Sequence, residues 1–324
     1  MARYASLFLD VEDPFHDASD DAVLDCSRAI ADCGVRVSFC VTGEKARRLL
    51  ARSRADVIRA LEPHALGLHT DRHSEHPTTM ELLEDKGWDD GCAAVASSEA
   101  PGVRAFEDAF GRAPSFWGGA GNTWAPQVAG ALLTIGIPAC VYSPPSPRTG
   151  FPFLYCGCIC APGGCGVAED EMASKSGADL ALQRVLSTIA TWPAPWIEVF
   201  LGHPTRYRHN DFWDRGYYGG KVPSEPDALP LRPDAEYRQC IDSLARIASA
   251  VSDHVNVLGF DDVLRLPWKF RPATPAETSE TTRLWKEHFR SLAKWPVHRP
   301  NLSTDRIEAE ALAKLHTLRI EFLD

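Results

Sequence analysis

Residues 66–77 read Leu66-Gly67-Leu68-His69-Thr70-Asp71-Arg72-His73-Ser74-Glu75-His76-Pro77, and three of the chain's eleven histidines fall in this stretch. The apolar lead-in from residue 65 predicts a short buried strand that ends at the first histidine. His69 and His73 are four residues apart, and in a helical turn that spacing puts two imidazoles close enough to share one metal ion. Two histidines leave a metal ion short of ligands, so a carboxylate from elsewhere is needed, with a further position open for water.

A second strand end supplies carboxylates. The apolar run over residues 4–9 predicts a buried strand, and Asp10, Glu12 and Asp13 follow it directly. Taken alone, this acidic segment is typical of a turn that caps the following helix. Next to His69 and His73 it completes the carboxylate-plus-two-histidine set of hydrolytic zinc sites, with a spare carboxylate as a general base.

A third predicted strand, over residues 196–201, ends in Gly202-His203-Pro204. In isolation, His203 is equally consistent with a buried histidine bonded to the backbone. Opposite a catalytic base, it would instead act as a general acid that protonates a leaving amine or alkoxide, because a histidine pKa is readily moved around neutrality.

Strands and helices alternate along most of the chain, which favours an α/β fold with a parallel sheet and helices outside. The predicted elements include helices over residues 44–61 and 102–111, a strand over residues 137–142 and a loop rich in proline and glycine over residues 144–166. In a barrel of that kind, catalytic groups gather at the C-terminal ends of the strands, where Asp10 and His69 are expected. From residue 267 onward, tryptophans sit among charged helical stretches. We therefore predict a barrel domain over residues 1–266 and a helical C-terminal extension over residues 267–324, packed on the barrel or on a neighbouring subunit of a homo-oligomer.

Composition narrows the class of protein. The 324 residues are 44% hydrophobic and 24% charged, as in a soluble enzyme, and the net charge of −10 argues against a nucleic-acid partner. No stretch approaches the roughly 20 apolar residues of a membrane span. Ten cysteines without a visible secretory leader favour reduced thiols and a cytoplasmic location.

Four segments in this order resemble motifs of the polysaccharide deacetylase family, the NodB homology domain of carbohydrate esterase family 4. The chain resembles the family over about residues 5–265. The matching segments are LFLDVED at residues 7–13, a DVED variant of the first motif, VSFCVTG at 37–43, LHTDRH at 68–73, which fits HTxxH, and FLGHP at 200–204.

The resemblance implies a distorted (β/α) barrel and a divalent metal ion, commonly zinc, with cobalt, manganese or iron(II) as alternatives. It also implies hydrolysis of an N-acyl or O-acyl group on a carbohydrate or small acylated substrate. Carried over by position, Asp10 would be the base and His203 the acid. Glu12 or Asp13 would bind the metal with His69 and His73. Alternation along an extended backbone favours Glu12, on the same side as Asp10.

One expected residue is missing. The family's third motif carries an arginine that orients the catalytic aspartate, but residues 116–126, FWGGAGNTWAP, contain none. Either another cation replaces it, with Arg206 and Arg208 as the candidates, or the base is tuned differently, or activity is weak or lost. Both arginines belong to an aromatic and charged segment, residues 205–221, that forms either a lid or a surface loop. As a lid, it would use Trp213 to stack a ring and its arginines to pair an anionic group.

Two tryptophans and a group of four cysteines each allow a functional and a structural interpretation. Trp117 and Trp124 would wall the substrate pocket, although large aromatic residues more often lie in a core. Cys156, Cys158, Cys160 and Cys165 do not have the CxxC spacing of a zinc knuckle. The pattern favours reduced thiols in a glycine-rich loop over a second metal site or a redox role.

Three hypotheses follow for function. The first is a metal-dependent deacetylase or related hydrolase acting on a small or oligosaccharide substrate. The second is a metal-dependent amidohydrolase acting on an imide or ureide. The third is a catalytically lapsed protein that binds a sugar or metabolite, which the missing arginine supports and the intact Asp10, His69, His73 and His203 oppose.

Overall fold

The computed structural model describes residues 2–143 and 146–323. Its central strand, β1 (Tyr4–Val11), pairs in parallel with three other strands, which are β2 (Ser38–Val41), β9 (Trp196–Gly202) and β10 (Asn256–Val257). The remaining strands are β3 (Ala65–Leu68), β4 (Trp117–Gly118), β5 (Ala139–Ser143), β6 (Phe153–Tyr155), β7 (Cys158–Pro162), β8 (Cys165–Gly166), β11 (Phe270–Pro272) and β12 (Glu321–Leu323).

Along the sheet the order is β11-β12-β6-β7-β5-β4-β3-β2-β1-β9-β8, and β10 branches from β1. Strands from β7 to β8 along this order pair in parallel, and β6, β12 and β11 add an antiparallel edge. The alternation of strands and helices along the sequence therefore predicted the parallel part of the sheet correctly.

Ring contacts inside the sheet show that it curves. Phe8 of β1 lies 6.2 Å from Tyr142 of β5, and Tyr142 lies 6.1 Å from Phe200 of β9, between ring centroids. Strands β5 and β9 are five places apart in the sheet, so a flat sheet would keep these side chains far apart. The distorted (β/α) barrel is confirmed, although no strand pair within the described residues joins β7 to β8.

Helices surround this sheet. They are α1 (Asp17–Asp32), α2 (Gly43–Ala51), α3 (Ala55–Leu61), α4 (Thr79–Leu83), α5 (Trp88–Phe110), α6 (Pro126–Leu132), α7 (Glu169–Met172), α8 (Lys175–Thr191), α9 (Pro204–Arg208), α10 (Asp234–His254), α11 (Phe260–Val263), α12 (Pro275–Leu292) and α13 (Asp305–Thr317), with short 3-10 segments at Ala120–Asn122, Leu133–Ile135 and Arg215–Tyr217. Across the described residues, no helix combines the length and the apolar character needed to cross a membrane.

Two predicted helices differ from the structure for local reasons. The single helix expected over residues 44–61 is interrupted because Ser53 takes a φ of 56°, which ends α2 before α3 begins. The helix expected near residue 102 begins much earlier, at Trp88, and contains Pro101. At Gly102 a Cβ atom would come within 3.0 Å of the Cα atom of Asp71, so a glycine is needed where this helix meets the histidine segment.

The C-terminal extension contains strands as well as helices. Strand β12 pairs with β6 and with β11, so the chain's last described strand extends the sheet of the barrel. Strands β6, β7 and β8 likewise lie where the sequence predicted only a loop, over residues 144–166, of which 144 and 145 lie outside the described residues. In both regions the strands are two to five residues long, which is too short for a clear sequence period. The division at residue 266 stays a prediction.

Candidate active site

A cavity of about 490 Å³ opens where β1, β3 and β9 end. Asp10 is the second-to-last residue of β1, while His69 and His203 directly follow β3 and β9. The fold thus brings together residues from the ends of three strands, as expected for parallel strands. The cavity is lined by Asp10, Glu12, His69, His73, Gly119, Gly121, Tyr142, Gly163, Gly164, Cys165, Gly166, Glu198, Phe200, His203, Phe212, Asp214, Tyr218 and Trp295.

Glu12, His69 and His73 converge at one point of this cavity. Oε2 of Glu12 lies 2.8 Å from Nε2 of His73 and 3.3 Å from Nε2 of His69. The two imidazoles do not lie on a helical turn, as the spacing suggested. Thr70 and His73 have φ angles of 59° and 49°, and this irregular turn brings the ring centroids to 5.1 Å.

The far side of each imidazole is held by a hydrogen bond. Nδ1 of His69 lies 3.1 Å from the carbonyl oxygen of Gly118, and Nδ1 of His73 lies 2.7 Å from Oγ of Ser74. Ser74 in turn donates to Asp214 at 2.6 Å, so its hydroxyl accepts from His73. Because Nδ1 donates in both rings, the neutral form of each imidazole presents its Nε2 lone pair to the same point, as metal ligands require.

The structure distinguishes Glu12 from Asp13. The carboxylate of Asp13 accepts hydrogen bonds from His16, from the backbone amide of Phe15 and from the hydroxyl of Thr205. It does not line the cavity. Oε1 of Glu12 accepts from the indole of Trp213 at 3.0 Å, while Oε2 is buried with no hydrogen-bond partner among the described residues.

The electrostatics of Glu12 suit a metal ligand. Burial opposes its ionisation, but His73 and His203 more than offset this and hold the pKa of Glu12 well below its usual range. A buried, ionised oxygen between two imidazoles needs positive charge beside it, supplied either by protons on those rings or by a cation bound between them. Glu12, His69 and His73 therefore fit a divalent metal ion of the kind that binds one carboxylate and two histidines.

Asp10 and His203 flank this group. Oδ2 of Asp10 lies 3.5 Å from Nε2 of His69 and 3.9 Å from Nε2 of His203. Nδ1 of His203 lies 2.5 Å from Oε1 of Glu169, which fixes the ring and leaves Nε2 facing the cavity. Burial disfavours the imidazolium, but Glu12, Glu169 and Asp10 outweigh it and raise the pKa of His203 to about 9.

The expected substrate-binding residues lie in different places. Trp213 packs 5.3 Å from the ring of His73, so it supports the site from behind. We predicted that Trp117 and Trp124 would wall the pocket. Both are instead fully buried in the core and do not line the cavity. Arg206 pairs with Asp170, and Arg208 with Asp234, so neither arginine reaches Asp10.

Tyr142 holds Asp10 instead, and sequence reasoning missed it. Its hydroxyl donates to Oδ1 of Asp10 at 2.9 Å. The signal that could have found it is its position at the end of a predicted strand, over residues 137–142, where functional groups of this fold gather.

Glu198 is the second residue that was missed. It sits inside the apolar strand β9, lines the cavity and leaves Oε2 buried without a hydrogen-bond partner in the described chain. Burial, with a smaller effect of Asp10, raises the pKa of Glu198 well above its usual range. This shift favours the neutral carboxylic acid of Glu198, which can donate a hydrogen bond into the cavity.

Three partly exposed aromatic side chains line the cavity. Phe212 and Tyr218 come from the segment after His203, and Trp295 comes from the C-terminal extension. The ring of Trp295 lies 6.4 Å from that of His73, and a Cβ atom at Gly121 would come within 2.3 Å of it. The extension therefore contributes directly to the pocket, which no local pattern around residue 295 predicted.

No protein-family model and no curated protein sequence matches this chain. Among solved structures, a protein from Mycobacterium smegmatis assigned as a polysaccharide deacetylase superposes with a TM-score of 0.51 at 15% identity, over 81% of this chain and 88% of that one. A family 4 carbohydrate esterase from Streptomyces lividans gives a TM-score of 0.43 at 14% identity, over 77% and 88%. The resemblance to polysaccharide deacetylases is thus confirmed at the level of the fold.

Proposed function

We propose that this protein is a metal-dependent hydrolase that removes an acyl group, acetyl in the first place, from nitrogen or oxygen of a small carbohydrate or similar substrate. The observation that carries the proposal is the convergence of Glu12, His69 and His73 in one cavity, with Asp10 and His203 beside them. A base, an acid and a three-residue ligand set together have little use in a protein that only binds.

Glu12, His69 and His73 would hold the divalent ion, and zinc fits one carboxylate and two imidazoles best. When bound, such an ion supplies Lewis-acid polarisation of an acyl oxygen and of water. Trp213, Ser74 and the Gly118 carbonyl keep the three side chains in place, so the ligand set is formed before any ion arrives.

Asp10 and His203 would move the protons. Asp10 accepts a proton from the attacking water through Oδ2, because Oδ1 is engaged by Tyr142. The water oxygen forms a bond to the acyl carbon, and the bond from that carbon to nitrogen or oxygen breaks. His203, held charged by Glu169, donates its proton from Nε2 to the leaving atom. The products are a carboxylic acid and an amine or alcohol.

The shape of the cavity supports a small substrate. About 490 Å³ is room for one or two sugar rings, and Trp295, Phe212 and Tyr218 give this space aromatic surface. A polymer bound along its length would need a longer groove than a cavity of this volume offers. We therefore favour a monosaccharide, disaccharide or comparable acylated amine over a cell-wall polymer.

Acetate release tests the proposal. Purified protein, loaded with about one equivalent of zinc, is offered N-acetylated and O-acetylated mono- and disaccharides, acetylated amines and cyclic imides. Acetate and the deacetylated product should appear in equal amounts and disappear in Asp10→Asn. A matched control is Asp25→Asn, which removes a carboxylate outside the cavity.

Other outcomes would contradict it. Imide opening without acetate release would favour the amidohydrolase hypothesis. Substrate binding by calorimetry without any turnover, in protein shown to contain zinc, would favour the lapsed binding protein.

A further inference from the structure

Three cysteines meet away from the catalytic cavity. Cys140 of β5 is paired in register with Cys160 of β7, and Cys158 lies two residues earlier on the same side of β7. The three sulfur atoms lie within 4.8 Å of one another, and all three side chains are buried. None of them lines the catalytic cavity, and Cys156 and Cys165, which share their sequence motif, stand outside this group.

The spacing of the sulfurs suits a shared metal ion. The sulfur atoms of Cys140 and Cys160 are 3.5 Å apart, far beyond the roughly 2.05 Å of a disulfide bond. Three sulfurs that each lie about 2.3 Å from a common ion in a trigonal plane stand about 4 Å from one another. The cluster therefore needs little movement to surround an ion.

A buried donor faces the same cluster. The indole N–H of Trp124 is fully buried and has no well-formed hydrogen bond in the described chain. After the larger effects of Cys158 and Cys160, Trp124 also helps to lower the pKa of Cys140, whereas the neighbouring Cys140 thiol and burial raise the pKa values of Cys158 and Cys160. A neutral thiol is a weak acceptor, whereas a thiolate satisfies a buried N–H well, so this indole is better matched to a metal-bound sulfur.

We propose that Cys140, Cys158 and Cys160 bind one copper(I) ion in a trigonal site separate from the catalytic centre. Thiolates select soft ions such as copper(I) and zinc. Among the described residues no histidine, carboxylate or further cysteine joins the three, and structural zinc sites are almost always four-coordinate. Each cysteine that binds as a thiolate releases its proton to solvent, and the copper stays copper(I), so no electron is transferred.

Anaerobic competition with a coloured copper(I) chelator tests the site, in a His69→Ala background that removes the catalytic ligand set. The parent should retain about one equivalent of copper(I), and Cys158→Ala and Cys160→Ala should retain almost none. Cys26→Ala is the matched control, because Cys26 is equally buried but lies on helix α1. Circular dichroism and thermal unfolding establish that each variant is folded.

The proposal would be overturned if Cys158→Ala and Cys160→Ala retained as much copper(I) as the parent, or if the parent retained none. If a triad variant does not fold, X-ray absorption on the copper-loaded parent decides the question. Sulfur-only coordination of the copper supports the site, and nitrogen or oxygen ligands contradict it.

Discussion

The phenol of Tyr142 donates a 2.9 Å hydrogen bond to Oδ1 of Asp10. Tyr142 has a φ of 57°, a conformation that is costly for a bulky residue and that persists at functional sites when the surroundings enforce it. In the deacetylases that the motifs resemble, an arginine orients the corresponding aspartate, and residues 116–126 lack it. We therefore propose that Tyr142 positions Asp10 here, with a neutral donor instead of a cation.

Tyr142→Phe should lower kcat about 10- to 100-fold, as is usual when a residue that orients a functional group is lost. KM and zinc content should stay unchanged, because the ring and the three metal-binding side chains remain in place. The control is Tyr155→Phe, which removes another buried hydroxyl, one without a hydrogen-bond partner among the described residues. Unchanged kcat, or a loss of zinc, would show that Tyr142 does not act through Asp10.

The Ser74 hydroxyl links His73 to Asp214 and fixes which ring nitrogen of His73 faces the ion. Ser74→Ala should weaken zinc affinity about 10- to 100-fold, since the imidazole loses its orienting partner. Competition with a zinc chelator measures this, and Ser27→Ala, which removes a buried hydroxyl bonded to the Ala60 carbonyl, is the control. Equal affinities in both variants would mean that packing alone orients His73.

Sequence patterns predicted the parts of the site that depend on strand ends. Asp10, His69 and His203 follow apolar runs, and parallel strands bring such residues to one edge whatever their distance along the chain. The helical turn predicted for His69 and His73 was wrong, because the segment contains two residues with positive φ. Glu169, Asp214 and Trp295 reach the site through tertiary packing, which leaves no local period for a sequence pattern to detect.

Glu198 presents an unpartnered carboxyl oxygen to the cavity, and such a group is expected to bond to water or to a substrate. Glu198→Leu should raise KM up to about 10-fold with little change in kcat, which corresponds to the loss of one neutral hydrogen bond of about 1 kcal/mol. Glu198→Gln keeps a neutral donor of similar shape and should bind substrate nearly as the parent does. If both variants have the KM of the parent, Glu198 does not contact the substrate.

Trp295 lines the cavity and comes from the C-terminal extension. Trp295→Ala should raise kcat/KM for an acetylated tetrasaccharide relative to a monosaccharide, because removing the indole enlarges the space in which a longer chain can bind. Trp268→Ala is the control, since Trp268 is also partly buried but lies outside the cavity lining. An unchanged ratio of the two kcat/KM values would mean that Trp295 does not limit substrate length.

Glu99 of α5 is a buried carboxyl group whose Oε2 accepts from the indole of Trp117 at 3.1 Å. Burial, with a smaller effect of Asp71, raises the pKa of Glu99 from 4.5 to about 8. Between these two values the folded protein keeps the proton while the unfolded chain releases it. The free energy of unfolding should therefore fall as pH rises from about 4.5 to about 8 and then level off.

Glu99→Gln removes this titration and keeps an acceptor for Trp117. The variant should be more stable than the parent at pH 8, by up to about 4 to 5 kcal/mol if each pKa unit contributes its usual 1.36 kcal/mol. The difference should shrink toward pH 5. Denaturant unfolding at both pH values measures it, and Glu107→Gln, on the exposed side of the same helix, controls for the loss of a charge. Parallel stability curves for the parent and Glu99→Gln would show that Glu99 is ionised in the folded protein.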